Sequence, residues 1–139
     1  MRQAAHRLEI ETRGRGLIEI TRPVAAWTTG AGLKTGLLTL FCRHTSASLL
    51  IQENAAAEVR ADLEAYFEAI APEDPARYRH DDEGADDMPA HIRTALTGVQ
   101  LAIPLIEGAL ALGTWQGIYL FEHRRRPHRR EVVLHLIGE

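Results

Sequence analysis

Between Leu8 and Thr12 apolar and polar side chains alternate, with Leu8, Ile10 and Thr12 on one parity and Glu9 and Glu11 on the other. A period of two marks a strand with one wet face. Gly14 and Gly16 then predict a turn, and residues 17–20 resume the strand pattern. Thr21-Arg-Pro23 reads as a helix start, with proline in the first turn, and a short helix through Trp27 is expected to stop at Gly30 or Gly32. Residues 36–43 are apolar at both parities, which predicts a strand covered on both faces or lying at an interface. Another short strand is expected over residues 49–52, with Asn54 as the cap of the helix that follows. That helix carries Val59, Leu63, Phe67 and Ile70, spaced by four, four and three, so one apolar stripe is expected before Pro72.

Residues 72–88 hold Pro72, Pro75, Gly84 and many acids, and read as a loop. A second, shorter helix is predicted from Asp87 or Met88 to Leu96, capped by Asp87, with Pro89 in its first turn and Gly98 as its stop. Strand-like segments follow at 99–103, 110–112, 115–122 and 132–137, punctuated by Gly108, Gly113 and Pro127. The order predicts an α+β fold: a mainly antiparallel, sandwich-like β domain with one long and one or two short flanking helices. At 139 residues, one domain spanning 1–139 is expected.

Composition narrows the function classes. A net charge of −3 gives no general attraction to nucleic acid or anionic membrane. The one cysteine, Cys42, excludes an intrachain disulfide and fits a reducing compartment. Residues 1–7 lack the apolar core of a secretion signal, and no apolar run reaches membrane-spanning length, so a cytoplasmic location is expected. Lys34 is the only lysine, which argues against Schiff-base chemistry.

The stretch from His44 to Asn54 holds the chain's only two serines, Ser46 and Ser48, and its only asparagine, Asn54. Buried polar groups without partners are costly, so this stretch reads as one wall of a site, with Glu53 and Asn54 as candidate substrate-positioning groups. Seven histidines are spread along the chain; His44, His80 and His91 sit at element boundaries, where side chains from distant segments can converge. None has the spacing that places two ligands on one helical turn, so each is open to reading as a surface or packing residue. The acidic run 81–87 can hold a hard cation such as Mg²⁺, or can simply cap a helix. Gly113-Thr-Trp-Gln-Gly117 offers backbone N–H groups to an anion, through Gly113, Thr114 and Gln116, or else forms a bulge with Trp115 in the core. The basic run 122–130 lacks interleaved aromatics, and its arginines are expected to pair with nearby acids or a phosphate ligand rather than with nucleic acid. A serine hydrolase lacks its Gly-x-Ser-x-Gly elbow here, and Cys42 shares a strand face with His44.

Several motifs in order, His44-Thr-Ser-Ala-Ser-Leu49, Gln52-Glu-Asn54, Glu83-Gly-Ala-Asp-Asp-Met-Pro-Ala-His91, Gly113-Thr-Trp-Gln-Gly117 and Glu122-His-Arg124, resemble the YjbQ family, also called secondary thiamine-phosphate synthases. The resemblance covers essentially the whole chain. It implies a homotrimer and a metal centre, with Zn²⁺ the expected ion, held by His44, His80 and His91. It implies joining of hydroxymethylpyrimidine diphosphate to thiazole phosphate with loss of pyrophosphate, as a main or a side activity on phosphorylated small molecules. Arg124, Arg93, the 113–117 backbone and a bound cation are then expected to hold phosphate, with Mg²⁺ a candidate companion of the diphosphate. A non-catalytic metal- or phosphate-binding trimer and a metal-dependent hydrolase stand as alternatives. His123 departs from the family pattern after the glutamate and is a poorer ligand candidate.

Overall fold

A computed structural model describes all 139 residues. The elements run β1 (Arg2–Glu11), β2 (Gly16–Glu19), α1 (Thr21–Gly30), β3 (Gly36–Cys42), β4 (Ala47–Glu53), α2 (Ala57–Ile70), α3 (Asp87–Thr97), β5 (Gln100–Ile106), β6 (Ala109–Leu110), β7 (Gln116–Glu122) and β8 (Arg129–Gly138), with one 3-10 turn at Pro75–Arg77. This is the expected α+β class: three helices and two sheets in which every pairing is antiparallel. The larger sheet has the order β1-β8-β3-β5-β6 and the smaller β2-β7-β4.

The core lies between the sheets. Leu38 and Leu40 of β3, Ile103 and Leu105 of β5 and Val132, Leu134 and Leu136 of β8 point inward to meet Ala47 and Leu49 of β4 and Ile118 and Leu120 of β7. On β7 the other parity is buried too: Phe121 meets Phe67 of α2 edge to face, and Arg60 of α2 donates to the Tyr119 hydroxyl. Thus α2 covers the outer face of the smaller sheet. α3 packs against β4, and this contact positions the candidate site.

Local signals account for α1 and α3. α3 carries Pro89 in its first turn and ends at Gly98, whose φ of 96° suits glycine and few other residues. Other expectations change. Asn54 caps nothing: α2 begins at Ala57, and it is Glu53 Oε2 that accepts from the N–H groups of Ala55 and Ala56 just before it. The α2 stripe exists, yet no residue of the helix is fully buried, because a helix laid over a three-stranded sheet finds too little surface to close over it. Strand β3 is not covered on both faces within one chain. Its inner parity is sealed, whereas Leu37 and Phe41 stay 41% and 46% exposed. The strand expected at 110–112 shrinks to Ala109–Leu110, and Trp115 stands 61% exposed rather than in the core.

Candidate functional site

Three segments meet at the N-terminus of α3. His80 comes from the preceding loop, where the Tyr78 hydroxyl donates to the Pro72 carbonyl at 2.8 Å and fixes the chain's course. Asp87 opens α3, and His91 lies one helical turn on. The ligand-type atoms of His80, Asp87 and His91 all fall within 4.8 Å of one another. His80 Nε2–H donates to Asp87 Oδ2 at 2.8 Å, and His91 Nε2 lies 3.2 Å from the same oxygen. The other carboxylate oxygen, Oδ1, accepts from Arg124 Nη1 at 2.8 Å. Arg124 is further tied through Nε to Asp86 at 2.9 Å and through Nη2 to the Glu83 carbonyl at 2.9 Å. Asp87 is buried.

The tautomer of His91 decides what this cluster can do. Its Nδ1 lies 2.9 Å from the carbonyl oxygen of Thr45, and a carbonyl only accepts, so Nδ1 carries the proton. In the neutral ring Nε2 then presents a lone pair, and that lone pair faces a carboxylate oxygen. Two acceptors in contact need a cation between or beside them: either a second proton on the ring or a metal ion. An imidazole whose remote N–H is fixed on a backbone carbonyl is the usual posture of a metal-ligating histidine. His80, flanked by Asp87 and Asp82, has its pKa raised, first through the bond to Asp87 and then through the neighbouring acids. A divalent metal would have to displace the proton that His80 Nε2 holds toward Asp87; with that proton gone, His80, Asp87 and His91 present a mixed nitrogen and oxygen ligand set.

His44 is outside this group. Its Nε2 lone pair accepts from the Glu131 N–H at 2.8 Å, so it has no free lone pair to give a metal in this arrangement. Burial and then the charge of Arg130 push its pKa down, so the ring is neutral with Nδ1 as its only donor. Asp87, read from sequence as a helix cap or as part of a cation-holding acidic run, stands where His44 was expected. His44 and His91 do share an open groove of about 580 Å³, together with Phe41, Arg43, Thr45 and Val99. His91 belongs both to the groove and to the acidic cluster, and it joins the two.

The family model described as UPF0047 protein YjbQ-like matches residues 6–139. The chain belongs to the YjbQ family. It is 54% identical to a UPF0047 protein of Synechocystis sp. over 99% of this chain and 94% of the relative. It is 51% identical to the UPF0047 protein YjbQ of Salmonella typhimurium over 77% of each. A crystal structure of a conserved hypothetical protein from Thermus thermophilus superposes with a TM-score of 0.84 at 39% identity, over 95% of this chain and 99% of that one.

The remaining candidates of this YjbQ chain are held mostly by internal bonds. Ser46 Oγ accepts from Arg130 at 3.0 Å, inside a buried layer where Arg130 Nε donates to Glu122 at 2.8 Å and Thr12 donates to the same oxygen at 2.6 Å. Burial alone raises the Glu122 carboxyl; the bonds from Arg130 and Thr12 outweigh it and hold the group below its ordinary range. Ser48 Oγ lies 2.9 Å from His123 Nε2 and 2.5 Å from Thr97 Oγ1, which is also 2.7 Å from the Arg93 carbonyl. That carbonyl can only accept from Thr97, so the bonds run His123 to Ser48 to Thr97. His123 is thereby the donor, not the base, and Ser48 is fully buried, which removes the serine-hydrolase reading of this pair. Burial first, then Arg93 and Arg130, lower the His123 pKa to about 3. Glu53 shapes the turn before α2, and Asn54 Nδ2 donates to Glu19 at 3.1 Å. Gln116 Oε1 takes the Gly113 N–H at 2.8 Å, and Thr114 is exposed beside it, so this loop turns inward on itself rather than toward the groove. Cys42 is a buried thiol whose pKa burial raises to about 11. Four of the five arginines of the basic run pair as expected, Arg126 being the exception: Arg124 with Asp86 and Asp87, Arg125 with Glu73, Arg129 with Glu9 and Glu11, Arg130 with Glu122. No helix is long and apolar enough to cross a membrane.

Sequence reasoning set Asp87 in an acidic run that could hold a cation, but did not join it to His80 and His91. The signal that could have joined Asp87 to His91 was its place four residues before it.

Proposed function

We propose that this chain is a metal-assisted enzyme on phosphorylated small molecules, of the secondary thiamine-phosphate synthase type, working in the groove beside His91. The observation that carries the reading is the His91 Nε2 lone pair held 3.2 Å from Asp87 Oδ2, which calls for a cation. His80, Asp87 and His91 would hold the ion, Zn²⁺ by their nitrogen-rich donor set. When bound, it would supply positive charge for a leaving diphosphate.

The chain's own groups do the rest. Arg124 does not reach for substrate in this reading. It fixes Asp86 and Asp87, and so orients the carboxylate that both imidazoles face. Phe41 and Val99 give the groove an apolar wall for a flat heterocycle, while Arg43, half-exposed and paired with Glu131 at 2.8 Å, is the cation within reach of a phosphate. His44 offers Nδ1–H as a neutral donor. In the reaction a carbon–nitrogen bond forms as the carbon–oxygen bond to diphosphate breaks, and the leaving group departs with the electron pair. Holding both partners in one groove supplies the proximity such a transfer needs.

A homotrimer belongs to the same reading. Leu37, Phe41 and Ile137 form an open apolar stripe across the outer face of the larger sheet, adjoining the groove at Phe41, and a second copy is the occupant that would cover it. The buried free thiol of Cys42 agrees with a reducing, cytoplasmic setting.

The test is twofold. Protein purified without an affinity tag is analysed for zinc and incubated with hydroxymethylpyrimidine diphosphate and thiazole phosphate; wild type and His91→Ala are then expressed in cells lacking thiamine-phosphate synthase. Stoichiometric zinc, product formation and rescue by wild type alone are expected. Zinc-free protein of unchanged activity, or rescue by His91→Ala, overturns the reading.

A further inference from the structure

A second cavity, of about 270 Å³, lies on the other side of α3 and is lined by Arg15, Gly16, Glu64, Glu68, Arg93 and Phe121. It is smaller and more enclosed than the groove. Arg93 is the unusual member. It is only 3% exposed, yet no carboxylate lies within ion-pair distance, and its one hydrogen bond is a long 3.4 Å contact from Nη2 to the Ala71 carbonyl. Its Nε has no partner at all. Burying an unpaired guanidinium is among the most costly arrangements a fold can adopt, and natural chains compensate such charges with a counter-ion or hydrogen-bond acceptors.

The two glutamates are engaged elsewhere. Glu68 pairs with Arg15 at 2.5 Å, and Glu64 Oε1 accepts from the Leu17 N–H at 3.2 Å. Arg15 also reaches Glu73 at 3.3 Å. Behind the cavity, Arg93, Arg130 and Arg15 together oppose protonation of His123. Burial and then Arg15 weaken the hold of Arg93 on its own proton, while Glu68, Glu73 and Glu64 act the other way without reaching it.

We propose that this cavity is a binding site for a small oxyanion, a phosphate or a carboxylate, gripped by Arg93 with Arg15 at the rim. A planar guanidinium with unused N–H groups matches two oxygens of one anion. Exposed Glu64 and Glu68 repel larger polyanions, so the ligand is small and of low charge. The site uses none of His80, Asp87 or His91: Arg93, which the family resemblance placed with Arg124 and a bound cation around substrate phosphate, would hold its anion in a separate cavity.

The experiment is calorimetric titration of the whole chain, freed of metal with a chelator, with inorganic phosphate and with acetate at constant ionic strength. Saturable binding of at least one anion is expected. Arg93→Met weakens it about thirtyfold or more, as for loss of a buried charge pair, and also cancels the rise in Tm that the anion gives wild type. His91→Ala leaves binding intact, which separates this site from the proposed metal centre. Should Arg93→Met fail to fold, Glu68→Gln tightens and Arg15→Met weakens binding. No saturable binding of either anion up to about 10 mM, the millimolar limit of weak specific affinity, overturns the proposal. So does full binding by Arg93→Met, or equal affinity in Glu68→Gln and Arg15→Met.

Discussion

Replacing Asp87 by asparagine keeps the shape of the side chain and removes the charge that His80, His91 and Arg124 all face. The magnitude follows from where Asp87 sits. Loss of a group that merely supports a metal ligand lowers metal affinity roughly 10–100-fold. Asp87 Oδ2 is itself within ligand range of both imidazoles, so its loss must exceed that bracket. A weakening of zinc binding of at least about 100-fold, near 2.8 kcal/mol, is expected. His44→Ala, by contrast, leaves zinc affinity unchanged, because its Nε2 is already bonded to the Glu131 N–H. The assay is competition with a chromophoric zinc chelator at neutral pH, on untagged protein. Asparagine also forfeits the charge of the Arg124 bond, roughly 1.5–3 kcal/mol of stability for a hydrogen bond to a charged group, while Arg124 keeps its hold on Asp86. Circular dichroism at the assay temperature therefore accompanies each measurement. If Asp87→Asn binds zinc like wild type and His44→Ala does not, the ligand set is the three imidazoles and the tautomer argument for His91 fails.

Glu122 sets the acid limit of stability. Its folded pKa lies below the ordinary 4.5, so its contribution is complete above about 4.5 and is lost as pH falls through the depressed value. Urea melts should show wild type losing stability below that point. Glu122→Gln, which leaves Arg130 buried without its partner, starts about 3–5 kcal/mol lower at neutral pH and shows a flatter acid arm. Gly36→Ala puts a methyl group against the Ile137 carbonyl across the β3–β8 pairing, so backbone must move; a loss of roughly 1–3 kcal/mol is expected in the same melts. Light scattering is expected to show trimers for wild type and monomers for Phe41→Asp, whereas a wild-type monomer would remove the assembly from the functional reading.

The parts of the fold that sequence disclosed are those whose cause is local. Pro89 and Gly98 bound α3 through the φ angles they allow, and spacings of four and three mark the exposed and covered faces of α2 whatever lies opposite. The pairing of β3 was less visible, because Leu37 and Phe41 look like core until one knows that nothing in the same chain covers them. The site was the least legible. Asp87 meets Arg124 from 37 residues away and Thr12 meets Glu122 from 110, and no periodicity encodes such pairs.

The candidate residues outside the cluster share one feature, and it has a physical source. Ser46, Ser48, Glu53 and Asn54 were expected to bind a ligand because polar groups in a β-rich chain need partners. Sequence cannot say whether the partner is a ligand or another part of the fold, and here the partners are Arg130, His123, the turn before α2 and Glu19. What distinguishes a functional group is a bonding capacity that the folded chain leaves unfilled at high energetic cost. By that measure two positions facing or carrying a charge stand out from the neutral orphans Thr94 Oγ1 and His123 Nδ1: the His91 lone pair turned toward a carboxylate, and the Arg93 guanidinium buried without an anion. Both sit on α3, two residues apart, and face opposite sides of it, one toward the cluster and groove, the other toward the second cavity. A helix fixed at its start by Pro89, packed on β4 and tied by Arg124 through Asp87, is the rigid element that holds both demands in place, so the loop and strand residues around it were free to serve the fold.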